Sequence, residues 1–218
     1  MTQSLILGVP CEAVPDERRV ALVPLAVPSL KKSGAEVLVQ TGAGRAAGFT
    51  DDQYVAKGAT LVADRAEIFA RAHVILQVRS LGACSEHSDA DLGLLRKDQL
   101  LIAGCEPLWC PEAIGKAAAT GATVFALELV PRITRAQSMD ILSSMATIAG
   151  YRAVLLAAIE SPRMFPMMMT AAGTLKPARV LVIGAGVAGL QAIASAKRMG
   201  AVVFGYDIRP AVKEQVES

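Results

Sequence analysis

The sequence predicts an α/β protein with two doubly wound parallel-sheet domains, the second of them truncated. Short apolar runs alternate with helical segments over residues 1–130, which is typical of parallel β-α-β units. A glycine-rich turn between a strand and a helix begins at Gly184. Hydrophobic residues make up 53% of the chain and aromatic residues 4%, so Ala, Val, Leu, Ile and Met supply the apolar content typical of buried parallel strands.

The first domain is predicted to alternate strands with helices. LILGVP is its first strand, and a helix follows over residues 24–33 and ends at Gly34. The acidic pair at Asp51 is suited to cap a second helix, which ends at Gly58. The remaining predicted strands are AEVLVQ, ATLV, HVILQV, QLLIAG and TVFALELV, and the remaining predicted helices are DRAEIFARA and residues 111–120.

Two candidate linkers divide the rest of the chain, residues 131–137 and 161–177, and a long helix between them is predicted to connect two domains. The predicted organisation is therefore a complete domain over residues 1–130, a loop and connecting helix over 131–165, and the start of a second, incomplete domain over 166–218.

Charge and cysteine content exclude several function classes. A net charge of +2 gives no basic surplus for a nucleic-acid partner. No uninterrupted apolar run approaches the roughly 20 residues of a membrane helix, and no basic region precedes the N-terminal apolar stretch, so we expect a cytoplasmic protein. The four cysteines have no metal-ligand spacing with His73 or His87, and we expect reduced, mostly buried thiols and no metal site.

A dinucleotide-binding turn is predicted between the strand Arg179–Ile183 and a helix over residues 187–199. Gly184 permits a tight turn, Gly186 lets a pyrophosphate approach the backbone, and Gly189 lets the helix pack closely on the strand. The diphosphate would lie at the helix N-terminus, where free N–H groups and the helix dipole favour negative charge. The second domain is therefore predicted to be Rossmann-like.

Asp207 ends the following strand about 20 residues further on, the position of the ribose-binding acid in such folds. A carboxylate there accepts hydrogen bonds from the adenosine ribose hydroxyls and repels a 2′-phosphate, which favours NAD(H) over NADP(H). Arg209 is a counter-indication, because an arginine nearby can accommodate that phosphate. A purely structural role, with the glycines merely permitting a tight turn, stays open.

The segment PRITRAQSMDILSSMATIAGY has two interpretations. Thr134 and Gln137 match a capping box, which is a structural role. A polar stripe beside Arg132 and Arg135, at a domain junction, is alternatively a ligand-contacting surface or a solvated face. The stripe consists of Gln137, Asp140, Ser144, Thr147 and Tyr151. No Ser–His–Asp, Cys–His or paired-carboxylate arrangement is apparent, so no catalytic residue is assigned.

These motifs resemble the NAD(H)-binding component, the alpha subunit, of proton-translocating NAD(P) transhydrogenase. The resemblance is carried by PRITRAQSMDILSSMATIAGYRAVLLAA, by the stretch from FPMMMTAAGTLKP to YDIRP, and by DERRVALVP and GAGRAAGFTDDQYVAKGATLV. Alanine dehydrogenase, the alternative, shares the arginine here numbered Arg19 but needs a lysine where Arg79 stands and a histidine that LLIAGCEPLWCPE lacks. Arginine stays protonated and is a poor acid–base group, which disfavours that alternative.

The resemblance implies direct hydride transfer between NADH and NADP⁺, in which the protein positions and shields the two nicotinamide rings. It also implies a homodimer, a partner component that binds NADP(H), and a membrane-spanning component on which both sit at the inner face of the plasma membrane. Three groups of residues would contact NAD(H): Arg132, Ile133, Thr134, Gln137, Ser138, Met139, Asp140 and Ser143 at the nicotinamide and its ribose; Gly184, Ala185, Gly186, Val187 and Gly189 at the diphosphate; and Asp207, Ile208 and Arg209 at the adenosine ribose. The family commonly has glutamine and asparagine where this chain has Met145 and Thr147.

The last residue of the sequence is Ser218, directly after the first β-α-β unit of the second domain. A Rossmann sheet needs further strands to complete its nicotinamide half, and an unpaired strand edge favours aggregation. We expect a truncated product; a natural gene fragment and a degenerate, non-catalytic relative are the alternatives. Weak NAD(H) affinity and no transfer activity are expected of this chain alone.

Overall fold

The computed structural model describes residues 4–84 and 88–217. Contacts within the chain divide it into two compact units, Met1–Met139 and Asp140–Ser218. The division falls inside the segment 131–165, so that the predicted loop belongs to the first unit and the predicted connecting helix to the second. Each unit has its own α/β arrangement, as predicted from the alternation of apolar runs and helical segments.

The first unit is built on a parallel sheet, and every apolar run predicted as a strand over residues 1–130 forms one. Its strands are β1 (Ile6–Val9), β2 (Glu36–Gln40), β3 (Thr60–Val62), β4 (Val74–Arg79), β5 (Leu100–Gly104) and β6 (Thr123–Ala126). They lie in the order β3-β2-β1-β4-β5-β6, all parallel within the described residues. The strand order reverses between β1 and β4, which defines a doubly wound sheet.

Helices follow the strands in the first unit at the predicted places, and a short helix at Ser88–Leu92 was not predicted. They are α1 (Val27–Lys32), α2 (Asp51–Ala56), α3 (Arg65–Arg71), α4 (Ser88–Leu92) and α5 (Pro111–Ala119), with 3-10 turns at Pro24–Ala26, Arg45–Ala47, Leu81–Cys84, Leu127–Leu129 and Thr134–Met139.

The cap of α2 differs from the prediction. Thr50, not the acidic pair, is its N-cap: Gln53 accepts the Thr50 N–H at 2.9 Å in a capping box. Asp51 instead accepts the N–H of Gly42 at 2.9 Å, because its side chain turns back to the loop after β2. Gly58 follows α2 with a φ of +91°, as the predicted helix stop requires.

Apolar side chains cover both faces of this sheet. Successive residues of a strand point to opposite faces, and in β2 Val37 and Val39 join one cluster while Leu38 joins another. Ile68 of α3 packs in the cluster of Leu38, and Tyr54 of α2 packs in the cluster of Val37 and Val39. Helices therefore bury both faces, which is the layering of a doubly wound fold.

The second unit begins with the long helix and continues into a parallel β-α-β unit. Its elements are α6 (Ile141–Glu160), β7 (Met168–Thr170), β8 (Gly173–Leu175), β9 (Arg179–Ile183), α7 (Val187–Arg198), β10 (Val202–Tyr206), a 3-10 turn at Pro210–Val212 and α8 (Lys213–Glu217). Strands β9 and β10 pair in parallel, with Ile183 opposite Tyr206 at their carboxyl ends. The predicted linker over residues 161–177 instead contains the antiparallel hairpin of β7 and β8.

Helix α6 packs on α7 at a point where there is no room for a side chain. A Cβ atom built on Gly150 would lie 2.1 Å from the carbonyl oxygen of Ala188, in the first turn of α7. Val154, one turn further along α6, is buried in a cluster with Ala192 and Ala196 of α7. By length and composition alone, α6 would also suit a membrane span. It carries Arg152 near its middle, and 11% of its most apolar 18-residue stretch is buried.

Candidate functional site

The glycine-rich turn joins β9 to α7 with the geometry that its pattern predicts. Gly184 has a φ of +91°, a conformation that favours glycine, and its N–H donates to the Tyr206 carbonyl at 2.7 Å. A Cβ on Gly189 would lie 1.7 Å from the Gly184 carbonyl oxygen, so only glycine allows the helix to pack so close to the turn. Both glycines are therefore required by the backbone itself.

Open space lies in front of the α7 N-terminus. Gly186 is the N-cap residue and is exposed, and a Cβ built on it would meet no heavy atom within 4 Å. The first N–H groups of a helix have no intrahelical partners, and together with the helix dipole they favour an anion. Val187 is also exposed. Backbone N–H groups and open space thus suit a diphosphate at this helix end.

Asp207 is tied to the glycine-rich turn as well as to its own neighbour. Its Oδ2 accepts the Ala185 N–H at 2.8 Å, and Ala185 is 2% exposed. The guanidinium of Arg209 donates to both carboxylate oxygens at 2.9 Å, and the Arg209 backbone N–H donates to Oδ1 at 2.9 Å. These bonds, the guanidinium first, hold the pKa of Asp207 well below its ordinary value. The carboxylate is charged throughout the physiological range.

A cavity of about 460 Å³ opens beside Asp207 and Arg209. Its other lining residues come from the end of β10, the 3-10 turn and α8: Gly205, Tyr206, Pro210, Val212, Lys213, Val216 and Glu217. Ile208 is 84% exposed and does not line it. The predicted diphosphate and adenosine-ribose residues thus lie together at the carboxyl ends of β9 and β10, where nucleotides bind in such sheets.

The predicted nicotinamide-facing loop lies at the end of the first unit. Residues Thr134–Met139 form a 3-10 turn in which Ala136 is buried. The predicted contact residues of this loop, Arg132, Ile133, Thr134, Gln137, Ser138 and Met139, are all exposed. Within the described residues, none of their side chains makes a hydrogen bond or ion pair with the protein, so their polar groups are available to a ligand.

Asp140 and Ser143, the remaining predicted contacts, belong to the second unit and cap α6. The Asp140 carboxylate accepts the backbone N–H of Ser143 at 2.9 Å and its hydroxyl at 2.6 Å. The capping box expected of Thr134 and Gln137 is therefore wrong, because α6 begins only after Asp140. In the polar stripe, Thr147 donates to the Ser143 carbonyl at 3.0 Å, a bond within the helix.

The first unit has its own charged groups at the carboxyl ends of β1 and β4, which the sequence patterns did not single out. The Glu12 carboxylate accepts the backbone N–H groups of Val78 at 2.7 Å and Arg79 at 3.0 Å. Burial raises the pKa of Glu12. Only the position of an acid three residues after a buried strand would have signalled this contact.

Arg19, which alanine dehydrogenase would use for its substrate, is held by a carboxylate of this chain. Its guanidinium binds Glu17 through Nε at 2.7 Å and Nη2 at 2.5 Å. These bonds lower the pKa of Glu17. In this structure the guanidinium of Arg19 is thus engaged by a carboxylate of the chain itself.

The described residues contain no cluster of three His, Cys, Asp or Glu side chains with the geometry of a metal site. Cys11, Cys84, Cys105 and Cys110 form no disulfide within the described residues, and Cys84 and Cys105 are buried. His73 accepts the Ile6 N–H through Nδ1 at 2.9 Å, which is a structural role. His87 lies outside the described residues.

A doubly wound unit followed by a strand, a glycine-rich turn, a helix and a strand that ends in an acid defines the class of two-domain Rossmann-like proteins. Residues 8–149 match the N-terminal domain model, and residues 153–218 the C-terminal domain model, of alanine dehydrogenase/PNT. The chain belongs to the alanine dehydrogenase/PNT family, and the resemblance stated from its motifs is confirmed.

Individual relatives agree with this assignment. The chain is 48% identical over 97% of its length to an NAD(P) transhydrogenase subunit alpha polypeptide of Rhodospirillum rubrum, of which it covers 55%. It is 33% identical over 93% of its length to alanine dehydrogenase of Mycobacterium tuberculosis, of which it covers 53%. The crystal structure of transhydrogenase from Sinorhizobium meliloti matches 97% of this chain with a TM-score of 0.90 and 48% identity, over 61% of that chain. The chain thus spans about half the length of the curated relatives that it matches.

Proposed function

We propose that this chain is the NAD(H)-binding component of an NAD(P) transhydrogenase. The observation that carries the proposal is the site at the carboxyl ends of β9 and β10. An open helix N-terminus there adjoins a glycine turn and the charged Asp207. The higher identity to the transhydrogenase subunit, 48% against 33% for alanine dehydrogenase, supports this member of the family over the other.

The residues of this chain would bind and orient the nucleotide. The free N–H groups at Gly186 and Val187 would receive the diphosphate, and Asp207 would accept hydrogen bonds from the adenosine ribose. Polar side chains of the loop, including Arg132 and Gln137, would contact the nicotinamide end. The nucleotide itself supplies the hydride, so positioning and exclusion of water are what the protein contributes. The absence of an assigned acid–base residue is compatible with such a transfer.

The same proposal includes partners. Hydride transfer to NADP⁺ would require a component that binds NADP(H), and coupling to proton movement would require a membrane-spanning component. A homodimer of this chain at the cytoplasmic face of the membrane completes the proposed assembly. The names of the relatives, which are subunits of a larger enzyme, support the existence of partners.

The second candidate function, alanine oxidation with NAD⁺, is supported by the identity to alanine dehydrogenase. One feature of this chain disfavours it. The residue at the end of β4 is Arg79, which cannot act as a base near neutral pH. Production of NADH that depends on alanine would establish this function instead.

The deciding experiment is a titration of the purified chain with NADH and with NADPH, followed by nucleotide fluorescence. We expect binding that favours NADH and that Asp207→Ala weakens about tenfold or more, since hydrogen bonds to a carboxylate are among the strong ones. Glu214→Ala removes an exposed carboxylate of α8 and serves as the matched control, with unchanged affinity. If Asp207→Ala binds NADH and NADPH with the same affinities as the unmodified chain, the role assigned to Asp207 is refuted. Strong transhydrogenation without an NADP(H)-binding partner would contradict the proposed division of labour.

A further inference from the structure

The carboxylate of Asp207 has no acceptor position left for a ligand. A carboxylate offers about four lone-pair positions. In this structure Oδ1 receives the backbone N–H and the Nε of Arg209, and Oδ2 receives the Ala185 N–H and the Nη2 of Arg209. All four donors lie at 2.8–2.9 Å, so none of these bonds is marginal.

An adenosine ribose needs acceptor positions on the same two oxygens. Its vicinal 2′- and 3′-hydroxyls would donate one hydrogen bond to each oxygen of the carboxylate, as the Arg209 guanidinium does here. The guanidinium fork therefore occupies the positions of the ribose diol. Two sets of donors cannot use the same lone pairs, so one must leave before the other binds.

We propose that the Arg209 side chain is an internal competitor of the ribose, which occupies Asp207 in the free protein and must swing away when a nucleotide binds. This inference rests on the proposed nucleotide site. It assigns Arg209 as a specificity-determining residue through competition, in contrast to the direct ribose contact that the family resemblance implies.

The side chain of Arg209 is the donor that can leave. Its side chain is 59% exposed, whereas the two other donors are backbone N–H groups fixed by the turn and by the chain. Because the guanidinium side of this ion pair is open to solvent, water can solvate Arg209 once it is released, and ribose hydroxyls that replace it restore the bonds to Asp207. The Ala185 bond, made by a residue that is 2% exposed, stays in place and keeps the turn in the shape required for the diphosphate.

The displaced guanidinium has consequences for nucleotide choice. After it leaves Asp207, it faces the open side of a cavity whose other charged lining groups are Lys213 and Glu217. A nucleotide with a 2′-phosphate would meet this freed cation as well as the repelling carboxylate. Arg209 therefore weakens NADH binding and, at the same time, lessens discrimination against NADPH.

The test compares three variants in nucleotide titrations of the full chain. Arg209→Met removes the competing donors, and we expect it to bind NADH roughly two- to five-fold more tightly than the unmodified chain, the range expected from loss of one exposed ion pair. Its NADPH affinity should not rise. Arg209→Lys keeps the charge but cannot occupy both oxygens, so an intermediate gain is expected. Arg198→Met removes an exposed cation at the C-terminal end of α7, away from the glycine turn and Asp207, and no gain in NADH affinity is expected.

A second measurement does not require nucleotide binding. Arg209 holds the pKa of Asp207 low, so the carboxyl carbon of Asp207, followed by NMR, should titrate at higher pH in Arg209→Met than in the unmodified chain. An unchanged titration of Asp207 would overturn the inference, whether or not any variant binds NADH. Failure of every variant to bind NADH would separately defeat the proposed function. If the unmodified chain binds NADH and Arg209→Met binds it equally or more weakly while Arg198→Met is unchanged, Arg209 is a ribose contact and not a competitor.

Discussion

The contact of Gly150 with α7 predicts that a single methyl group will weaken the second unit. In Gly150→Ala the new Cβ would lie 2.1 Å from the Ala188 carbonyl oxygen, whereas ordinary contact begins at 3.4 Å. One helix must then move by about 1.3 Å, the difference between these distances. Overpacking of this kind costs about 1–3 kcal/mol. Alanine recovers about 1 kcal/mol through its helix propensity, so we expect a net loss of up to about 2 kcal/mol.

Gly115→Ala is the matched control for this substitution. Gly115 also lies inside a helix, α5, but a Cβ there would meet nothing within 4 Å. It should therefore stabilise its helix by about 0.5–1 kcal/mol through propensity alone.

Hydrogen exchange read peptide by peptide is the suitable assay, because it reports the two units separately. We expect faster exchange of the α7 amides in Gly150→Ala and of no α5 amides in Gly115→Ala. The displaced helix N-terminus should also weaken NADH binding. Stabilisation of α7 by Gly150→Ala would show that α6 and α7 are not in this close contact, and would refute the reasoning.

Three further predictions concern the first unit. Asp64→Ala removes the N-cap residue of α3, whose side chain accepts a backbone N–H at 3.0 Å, and should lower the free energy of unfolding in urea by about 1 kcal/mol. A substitution of Asp52, which is exposed and is not an N-cap residue, should cost little. Tyr54→Phe leaves the partly buried carbonyl of Leu22 without its 2.8 Å donor and should cost about 1 kcal/mol by the same measurement; a neutral effect would mean that water replaces the hydroxyl. Burial raises the pKa of the Cys105 thiol to about 12, and the thiolate is the nucleophile in alkylation. Iodoacetamide at pH 8 should therefore label the partly exposed Cys110 first and Cys105 only after unfolding. Mass spectrometry of native and denatured samples would measure this order.

The parts of the fold that the sequence predicted are those specified by local, uninterrupted signals. The strands of the first unit are continuous apolar runs, and the glycine turn follows from three positions whose backbone demands are independent of the rest of the chain. The start of α6 was not predictable in the same way. Thr134 precedes Gln137 by three residues, and Asp140 precedes Ser143 by three residues, so either pair could cap a helix. The residue types alone therefore do not decide where α6 begins.

Two other features escaped the sequence for different physical reasons. Every residue of the hairpin strands β7 and β8 is exposed, so there is no alternation of buried and exposed residues to produce a strand pattern. The bonds from Arg209 to Asp207 depend on how a chain turns after β10, which spacing alone does not specify. For the predicted site, the residue types were therefore accessible from the sequence, but their hydrogen-bond partners were not.

The bonds that Glu12 makes have a consequence for how the doubly wound architecture is used in the first unit. In such sheets the crevice between the two strands where the order reverses, here β1 and β4, is where a bound anion or nucleotide ordinarily lies. In this unit a carboxylate of the chain itself takes the two backbone N–H groups at the end of β4. The fold of the first unit thus supplies its own acceptor for these two donors, and a ligand in the crevice could use them only after displacing Glu12.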